Sequence, residues 1–452
     1  MEKVHVIGGG LSGSEAALQL ADKGYEVHLY EMRDKVQTPA HKTNGLAELV
    51  CSNSFKGLGY TSAHGLFKRE LRLLGSHLMN AALVARVDAG ESLTVDRDLF
   101  SNEVNRLIAE RDNITLHNEE ITTIPEDEWT LVAAGPLCSQ ALTEHLFTKI
   151  GSDKLSFFDA IAPVVEADSI DFEHAYYKNR WDKGETKDFI NCPLDKETYA
   201  KFVSLLVEAD QVEPKPFEKK ELFEGCLPVE EMASRGPETL RFGPMRPIGL
   251  MHPETGLIPY GVIQLRAENH DKTLYNLVGF QTRLKWGTQK EAFKLIPALQ
   301  NASFVRMGCM HRNTFIDTPK ILNQYLQIPN TKIFFAGQIL GAEGYTEAVG
   351  TGLYSASQIH SLIQTGETID YPRESCLGAL CDFLTQANED FQPMNFNFGL
   401  LPRPEGIRKK MKKEFLSNQA LSAILQWNHD LITLHADPLA VPEKAEETNE
   451  TL

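Results

Sequence analysis

Long apolar runs, paired cysteines and positive charge are all scarce in this chain of 452 residues. No apolar stretch reaches the roughly 20 residues that span a bilayer, and the N-terminus lacks the layout of a signal peptide, which predicts a cytoplasmic protein without membrane contact. The 7 cysteines include no CxxC pair and no zinc-ligand spacing, which favours reduced thiols and predicts no metal site. The formal net charge of −17 disfavours nucleic-acid binding unless the positive residues are clustered.

A glycine-rich turn directly follows the first β-prone segment, Val4–Ile7. Gly8, Gly9, Gly10, Leu11, Ser12 and Gly13 separate that segment from an Ala- and Leu-rich helical stretch. In such a turn the first glycine permits a tight bend, the second lets backbone approach a pyrophosphate, and the third lets helix pack on strand. Glu31 ends the second predicted strand, where a carboxylate can accept from ribose hydroxyls and disfavours a 2′-phosphate. The pattern predicts a Rossmann-like site for FAD or NAD.

A second glycine-rich turn near the C-terminus favours FAD over NAD. Residues 335–352 read FAGQILGAEGYTEAVGTG and contribute Gly337, Gln338, Gly341, Gly344 and Gly350. Flavoproteins with two dinucleotide turns use such a segment to hold the ribityl chain and the pyrophosphate, whereas a plain NAD dehydrogenase has no use for it. We therefore predict bound FAD, with simple packing as the alternative role of this turn.

The composition of the chain indicates a domain that is interrupted by another. The strand-then-glycine pattern of the N-terminus returns at Lys332–Gly337, and the stretch from about Phe157 to about Arg306 is aromatic, charged and interrupted by prolines. We predict an α/β fold with a discontinuous, glutathione-reductase-like FAD-binding domain at 1–156 and 307–434, an inserted α+β domain at 157–306, and a flexible tail at 435–452. Residues 38–65 are predicted to form a long structured loop, and residues 374–434 to be largely helical.

Four segments of the chain resemble the folate- and FAD-dependent tRNA uracil-5-methyltransferases. They are Thr38–Thr43 with Ala47–Ser54, then Phe223–Pro228, Thr239–Met245 and the turn at 335–352. The resemblance implies that NADPH or NADH reduces FAD, that methylenetetrahydrofolate supplies one carbon, and that C5 of the T-loop uridine of tRNA receives it.

The resemblance also assigns two of the cysteines. It implies that Cys226 attacks the uracil and that Cys51 works beside the flavin, although the division of roles between them stays open. A thiol is required because C5 of uracil becomes nucleophilic only after a thiolate adds at C6. The other five cysteines are interpreted as buried packing residues.

A dense basic cluster follows the second glycine turn and offers an RNA contact on an acidic chain. It consists of Arg408, Lys409, Lys410, Lys412 and Lys413, with Arg403 just before them. We predict that it binds RNA phosphates, with a solvated helix face as the alternative. Lys68, Arg69 and Arg72 are candidates to extend this cluster. Candidates for contacts to the folate glutamate tail, the nicotinamide dinucleotide or RNA phosphates, with ordinary surface charge as the alternative, are Arg241, Arg246, Arg283, Lys285 and Trp286. His41 and His311 are candidates for proton transfer, with a packing role as the alternative.

Three alternatives to the tRNA activity stay open from the sequence. One is the same chemistry on a uridine of ribosomal RNA, because the motifs describe the flavin chemistry and leave the RNA target unstated. A second is a related FAD-dependent family that modifies the wobble uridine of tRNA and is longer at its C-terminus. The third is a flavin-binding RNA partner or redox sensor without turnover, which the presence of both Cys51 and Cys226 disfavours.

Overall fold

The structure is a computed structural model of the chain. It describes residues 2–151, 155–184, 186–209, 211, 227–387, 391–402 and 406–427, with the backbone alone for 155–161, 309–312 and 409. Cys226, Arg403 and the predicted tail at 435–452 lie outside the described residues, as do the side chains of Cys309, His311 and Lys409.

The part of the chain that the structure describes contains both strands and helices throughout its length. In chain order the strands are β1 (Lys3–Ile7), β2 (Glu26–Tyr30), β3 (Ser54–Gly57), β4 (Arg86–Val87), β5 (Ser92–Val95), β6 (Ile114–His117), β7 (Trp129–Val132), β8 (Leu155–Ile161), β9 (Val164–Glu166), β10 (Tyr176–Tyr177), β11 (Phe189–Leu194), β12 (Gly261–Ala267), β13 (Leu274–Leu277), β14 (Phe304–Arg306), β15 (Cys309–Phe315) and β16 (Ile333–Phe335). The helices are α1 (Leu11–Asp22), α2 (Ala63–Leu73), α3 (His77–Val84), α4 (Arg97–Ala109), α5 (Gln140–Ile150), α6 (Lys196–Glu208), α7 (Val229–Ser234), α8 (Trp286–Lys294), α9 (Thr318–Ile321), α10 (Tyr345–Thr365), α11 (Cys376–Thr385) and α12 (Lys412–Trp427).

A parallel sheet with the strand order β16-β7-β1-β2-β6 forms the centre of the first core. β1 pairs in parallel with β2 on one side and with β7 on the other, and β16 pairs with β7. Val4, Val6, Val27 and Leu29 are fully buried, as expected for parallel strands that helices cover. Helix α10 packs on α1, so the predicted Rossmann-like α/β fold is confirmed.

A second, antiparallel sheet has the order β10-β11-β12-β13-β9-β14 and lies between β7 and β16 in sequence. It packs with α6, α7 and α8 around its own core, which includes Phe202, Phe280 and Phe293. The ladder of β8 with β15 lies where the chain enters and leaves this region. The predicted boundary at 156/157 falls inside β8, so we place the connection between the two domains at this ladder.

Two of the expected segments differ in detail from the structure. The loop at 38–65 contains β3, which pairs with β5 in a small sheet of three strands. Residues 374–434 are not continuously helical, because α11 ends at Thr385 and the described residues 391–402, which include Pro393 and Pro402, are irregular. Proline lacks the backbone N–H that a helix interior needs. Within the described residues, no helix is both long and apolar enough to cross a membrane.

Candidate active site

The first glycine turn has the geometry of a dinucleotide cradle. Gly8 has φ of 107°, which a side chain disfavours. A Cβ on Gly13 would lie 1.8 Å from the carbonyl oxygen of Gly8, so only glycine lets α1 approach β1 this closely. A Cβ on Gly10 would meet no atom of the described chain within 4 Å. The backbone at Gly10 therefore faces open space, as the pyrophosphate-binding role requires.

That open space is a cleft of about 370 Å³ between the two glycine turns. Gly10, Leu11 and Ser12 line it at the start of α1, and Gly344 and Tyr345 line it at the start of α10. Neither N-cap residue, Gly10 of α1 or Gly344 of α10, caps its helix with a side chain. Both helix N-termini face one cleft, and that of α1 suits an anionic dinucleotide. The first turn of α10 carries the buried carboxylate of Glu347, which accepts from its own backbone N–H and from that of Phe396 at 2.9 Å.

Glu31 lies at the cleft, but a neighbouring arginine already occupies its carboxylate. Oε1 accepts from the backbone N–H and Nε of Arg33 at 3.0 and 2.9 Å, and Oε2 accepts from the Gly9 N–H at 3.1 Å and from Arg33 Nη2 at 3.0 Å. Burial alone would raise the pKa of Glu31, but the hydrogen bonds and charge of Arg33 outweigh it, so this pKa lies below its usual value. A carboxylate has about four lone-pair directions, so a ribose hydroxyl must replace one of these bonds.

Arg33 is a site residue that sequence reasoning missed; it is 2% exposed and also donates to Glu48 at 3.3 Å. An arginine shortly after a strand carries no signal in the sequence, and the role of Arg33 depends on its pairing with the carboxylates of Glu31 and Glu48.

The second glycine turn divides into residues that line the cleft and residues that pack. Gln338 and Gly344 line the cleft. The N–H of Gly337 donates to Thr351 Oγ1 at 2.9 Å, and a Cβ there would lie 2.4 Å from Ser12 Oγ. Cβ atoms on Gly341 and Gly350 would each meet a phenylalanine ring at 2.8 Å, that of Phe391 and of Phe67 respectively. The glycines of this turn are therefore explained partly by close packing, at Gly337, Gly341 and Gly350, and partly by contact with the cleft, at Gly344.

A short segment from the C-terminal part of the chain covers the second turn. The Met394 N–H donates to Gly341 O at 3.0 Å, and the Glu343 N–H donates to Met394 O at 3.0 Å. Asn395, which lines the cleft, donates from Nδ2 to Glu343 O at 2.5 Å. The cleft is thus completed by residues far from the first glycine turn in sequence.

Cys51 lines the same cleft and is fixed by the first residue of α10. The Tyr345 hydroxyl accepts from the backbone N–H groups of Cys51 and Ser52 at 3.1 and 3.0 Å and donates to Ser52 O at 2.8 Å. Burial is the main reason why the pKa of Tyr345 is raised above its usual value, so this phenol stays protonated and keeps its role as donor. The second glycine turn therefore positions the cysteine loop.

The segment that follows Cys226 is anchored beside the cleft. Leu227 is 7% exposed, and the Val229 N–H donates to the carbonyl oxygen of Gln281 at 2.8 Å. Gln281 is one of the cleft-lining residues, as is Asn313, whose buried Oδ1 has no hydrogen-bond partner within the described part of the chain. A buried acceptor of this kind fits a cleft that takes a polar ligand.

Four charged residues adjoin Cys51 and form what we call the arginine cluster, namely Arg97, Arg266, Arg306 and Glu268. Arg97 Nε lies 2.6 Å from Glu268 Oε2, and Arg97 Nη2 donates to Cys51 O at 3.5 Å. Arg266 lines the cleft and donates to Ser52 Oγ at 2.8 Å. Burial opposes ionisation of Glu268, but the positive charge of Arg97 outweighs it and lowers the pKa of this carboxyl.

Two of the sequence candidates lie in the interior, and for Lys68 the predicted extension of the basic cluster is wrong, because its side chain is buried. Lys68 is 2% exposed, and its Nζ donates to the carbonyl oxygens of Phe55 and His64 at 2.7 and 2.8 Å. Burial lowers its pKa to about 7. Arg283 is also 2% exposed and donates to Glu231 at 2.8 Å. Neither side chain can extend a basic surface.

Other sequence candidates lie on or near the surface. Arg241 donates to Glu238, and its guanidinium carbon lies 3.8 Å from the centre of the Tyr260 ring. Arg246 is exposed, Lys285 directly precedes α8, and Trp286, the first residue of α8, is 65% exposed. His41 lines the cleft, with its Nδ1 2.6 Å from Thr38 Oγ1.

The predicted basic cluster lies at the start of α12, beside α2. Arg408, Lys410 and Lys413 are exposed. The Ser417 hydroxyl donates to Tyr60 O at 2.7 Å, which joins α12 to the turn before α2. The guanidinium of Arg69 lies 5.5 Å over the ring of Tyr60. The basic residues are therefore continuous with one side of α2.

Comparison with known proteins shows the relationships of this chain. The model of the family described as "Glucose inhibited division protein A" matches residues 3–367. A methylenetetrahydrofolate–tRNA-(uracil-5-)-methyltransferase TrmFO of Aquifex aeolicus is 51% identical over 429 residues, which cover 94% of this chain and 96% of that relative. A relative with the same name from Natranaerobius thermophilus is 50% identical over 93% of this chain and 98% of its own length.

Solved structures support the same architecture. The structure of Aquifex aeolicus GidA in one crystal form has a TM-score of 0.68 at 17% identity and covers 97% of this chain and 74% of that chain. A second crystal form gives the same TM-score at 16% identity, covering 98% of this chain and 77% of that chain. At this level of identity the likeness concerns the fold.

Proposed function

The chain belongs to the family of methylenetetrahydrofolate–tRNA-(uracil-5-)-methyltransferases, and from that membership we propose that it methylates C5 of the T-loop uridine of tRNA. The observation that carries the proposal is the position of Cys51, which Tyr345 fixes at a cleft where two helix N-termini meet. A reactive thiol beside a dinucleotide cradle is what this chemistry requires.

The residues of the cleft fit FAD. The N-terminus of α1 would receive the pyrophosphate at Gly10, Glu31 would accept from the ribose, and the N-terminus of α10 would lie against the flavin end. When bound, FAD would carry the one-carbon unit and the reducing electrons between the folate and the uracil. We assign methylenetetrahydrofolate as the carbon donor and NADPH or NADH as the reductant.

The two thiols take complementary parts in this proposal. The thiolate of Cys226 adds to C6 of the uracil, and the electron pair of the 5,6 double bond becomes available at C5 for the new carbon–carbon bond. Loss of the C5 proton and departure of the Cys226 thiolate then restore the 5,6 double bond, and the two electrons that bring the new carbon from the methylene to the methyl level would come from the NADPH- or NADH-reduced flavin. Cys51 either removes that proton or handles the one-carbon unit.

The basic cluster at the start of α12 and the adjoining side of α2 would contact the RNA backbone. Arg408, Lys410 and Lys413 are exposed there, on a chain whose net charge is −17, so they offer a local attraction for phosphates. The target uridine must leave its stacked position to reach the cleft, at a cost of a few kcal/mol that contacts elsewhere on the RNA offset.

The proposal is tested by methyl transfer from labelled methylenetetrahydrofolate. The purified, FAD-loaded protein is incubated with NADPH and either unmodified tRNA or ribosomal RNA, and the nucleosides are analysed. We expect label in ribothymidine of the tRNA T-loop. Label in ribosomal RNA alone would keep the chemistry and change the substrate, although the names of the relatives favour tRNA. No transfer to either RNA, with competent flavin present, would favour a flavin-binding partner without turnover.

A further inference from the structure

The arginine cluster beside Cys51 carries more positive than negative charge in a buried position. Arg266 and Glu268 are 9% and 5% exposed, and the side chains of Arg97 and Arg306 are 16% and 14% exposed. Arg97 comes from the start of α4, whereas the other three residues come from the antiparallel sheet region. The two domains therefore assemble the cluster together.

The hydrogen bonds of the cluster leave two of the three guanidiniums under-compensated. Arg97 is paired with Glu268 at 2.6 Å. Arg266 donates to the neutral oxygens of Ser52 and Asn53 at 2.8 and 3.1 Å, and the closest approach of Arg306 to Glu268 is 3.8 Å. In the described part of the chain, Nε of Arg266 and both Nε and Nη2 of Arg306 are buried without a hydrogen-bond partner.

Such an arrangement is costly unless another group supplies negative charge. An arginine stays ionised in proteins, so burial cannot remove its charge. Burial is the main cause that lowers the pKa of both Arg266 and Arg306, and each is also lowered by the charge of Arg97. Arg266 lines the cleft, so a group that enters the cleft can reach Arg266 directly, whereas Arg306 is outside the cleft lining and joins the cluster 3.8 Å from Glu268.

We propose that Arg266 and Arg306 form an oxyanion subsite beside Cys51, which takes one carboxylate or phosphate group of a substrate. A planar guanidinium with spare N–H donors matches the two oxygens of such a group. Three substrates carry it: the folate has glutamate carboxylates, the RNA has a phosphate on each side of the target uridine, and the nicotinamide dinucleotide has phosphates. The choice among these sources rests on the proposed function, whereas the subsite itself does not.

Inorganic phosphate is the first probe, because its binding is independent of the proposed reaction. FAD-loaded wild-type protein is titrated with phosphate by calorimetry, beside Arg266→Gln, Arg306→Gln and the control Arg106→Gln, whose exposed guanidinium pairs with Glu103 and Glu110. We expect the control to bind like the wild type and the two subsite variants to bind at least tenfold more weakly. Equal binding by all four proteins overturns the subsite.

Thermal unfolding separates this role from a purely structural one. Removal of an uncompensated buried charge is expected to leave the melting temperature of Arg306→Gln equal to or above that of the wild type in phosphate-free buffer. A lower melting temperature together with wild-type phosphate affinity would assign Arg306 to the fold and overturn the proposal. Arg306→Lys keeps the charge without the planar fork, so its affinity for phosphate should lie between those of the wild type and Arg306→Gln.

The substrate that supplies the oxyanion follows from three further titrations of the same proteins. If Arg306→Gln weakens the binding of tetrahydrofolate tenfold but leaves the binding of tetrahydropteroate, which lacks the glutamate, unchanged, the folate carboxylate occupies the subsite. If the substitution weakens the binding of a T-arm hairpin but not of a hairpin with neutral methylphosphonate linkages around the target uridine, an RNA phosphate occupies the subsite. An effect on NADPH alone assigns the reductant. Wild-type binding of phosphate without binding of folate or RNA would uphold the subsite and contradict the proposed function.

Discussion

Gly10→Ala should weaken FAD binding while leaving the fold intact, because the new methyl group would occupy ligand space and no protein space. A Cβ at Gly10 meets no described atom within 4 Å, and its φ of −76° and ψ of −167° are accessible to alanine. We expect the free energy of unfolding to change by less than about 1 kcal/mol. Loss of one charge-assisted hydrogen bond to the pyrophosphate costs about 1.5–3 kcal/mol, so the Kd for FAD should rise about 10- to 100-fold.

The assay is a titration of flavin-free protein with FAD, followed by flavin fluorescence, together with thermal unfolding in the absence of FAD. Gly287→Ala is the matched control, because a Cβ at Gly287 in α8 also meets nothing within 4 Å. Gly13→Ala is the opposite case, since its Cβ would lie 1.8 Å from Gly8 O, and it should lose folding and flavin together. If Gly10→Ala binds FAD as tightly as Gly287→Ala, the pyrophosphate does not lie against this turn.

Three further changes test the thiols, a buried acid and the basic cluster. Cys226→Ala should abolish methylation and retain bound flavin, and Cys51→Ala should lower methylation with the fold preserved. Glu70 accepts from two backbone N–H groups of α11 at 2.7 Å, and burial raises its pKa from 4.5 to about 7. The stabilisation that comes from its proton is fully present below pH 4.5, the pKa of the unfolded chain, and it is lost as the pH rises through about 7. Glu70→Gln, which has no proton to lose, should gain in melting temperature relative to the wild type between pH 5 and 8. Lys412→Gln with Lys413→Gln should raise the KM for tRNA and reduce the salt slope of binding by about 2.

The outcomes that contradict these three predictions differ. A colourless, flavin-free Cys226→Ala protein would contradict the proposal that the Cys226 thiol acts on the uracil, because it would show that this thiol is needed to retain the flavin. A melting-temperature difference between Glu70→Gln and wild type that stays constant with pH would mean that Glu70 does not titrate in this range, because all other groups are shared. For the basic cluster, Lys201→Gln is the control on an exposed lysine of α6, and an equal effect on RNA binding would refute a local patch.

The first glycine motif could be interpreted from the sequence because the positive φ of Gly8 and the approach of Gly13 to Gly8 O are local constraints. The bend at Gly8 and the close approach at Gly13 depend on neighbours within one turn of chain, so strand, glycine turn and helix were sufficient to predict both the fold and the cleft. The same holds for the return of the chain at β16, which repeats the strand-then-glycine pattern.

The burial of charged residues could not be predicted in the same way. Helical spacing places Lys68 on a polar face, but that face meets the carbonyl oxygens of Phe55 and His64. Within the arginine cluster, Arg97 comes from the start of α4 and Glu268 from the antiparallel sheet region more than a hundred residues later, so only the folded chain brings Arg97 to Glu268. Pairing over such distances leaves no periodic signal in the sequence.

The segment that covers the second glycine turn has a consequence for how the protein is made. Met394 and Asn395 complete the cleft, although they are translated long after the first glycine turn. A nascent chain on the ribosome therefore exposes half of a cofactor cradle long before the other half exists. We expect FAD to be captured only after Met394 and Asn395 have been added and have folded onto the second turn, so that a limited flavin supply would leave apoprotein and would not stall folding of the antiparallel sheet.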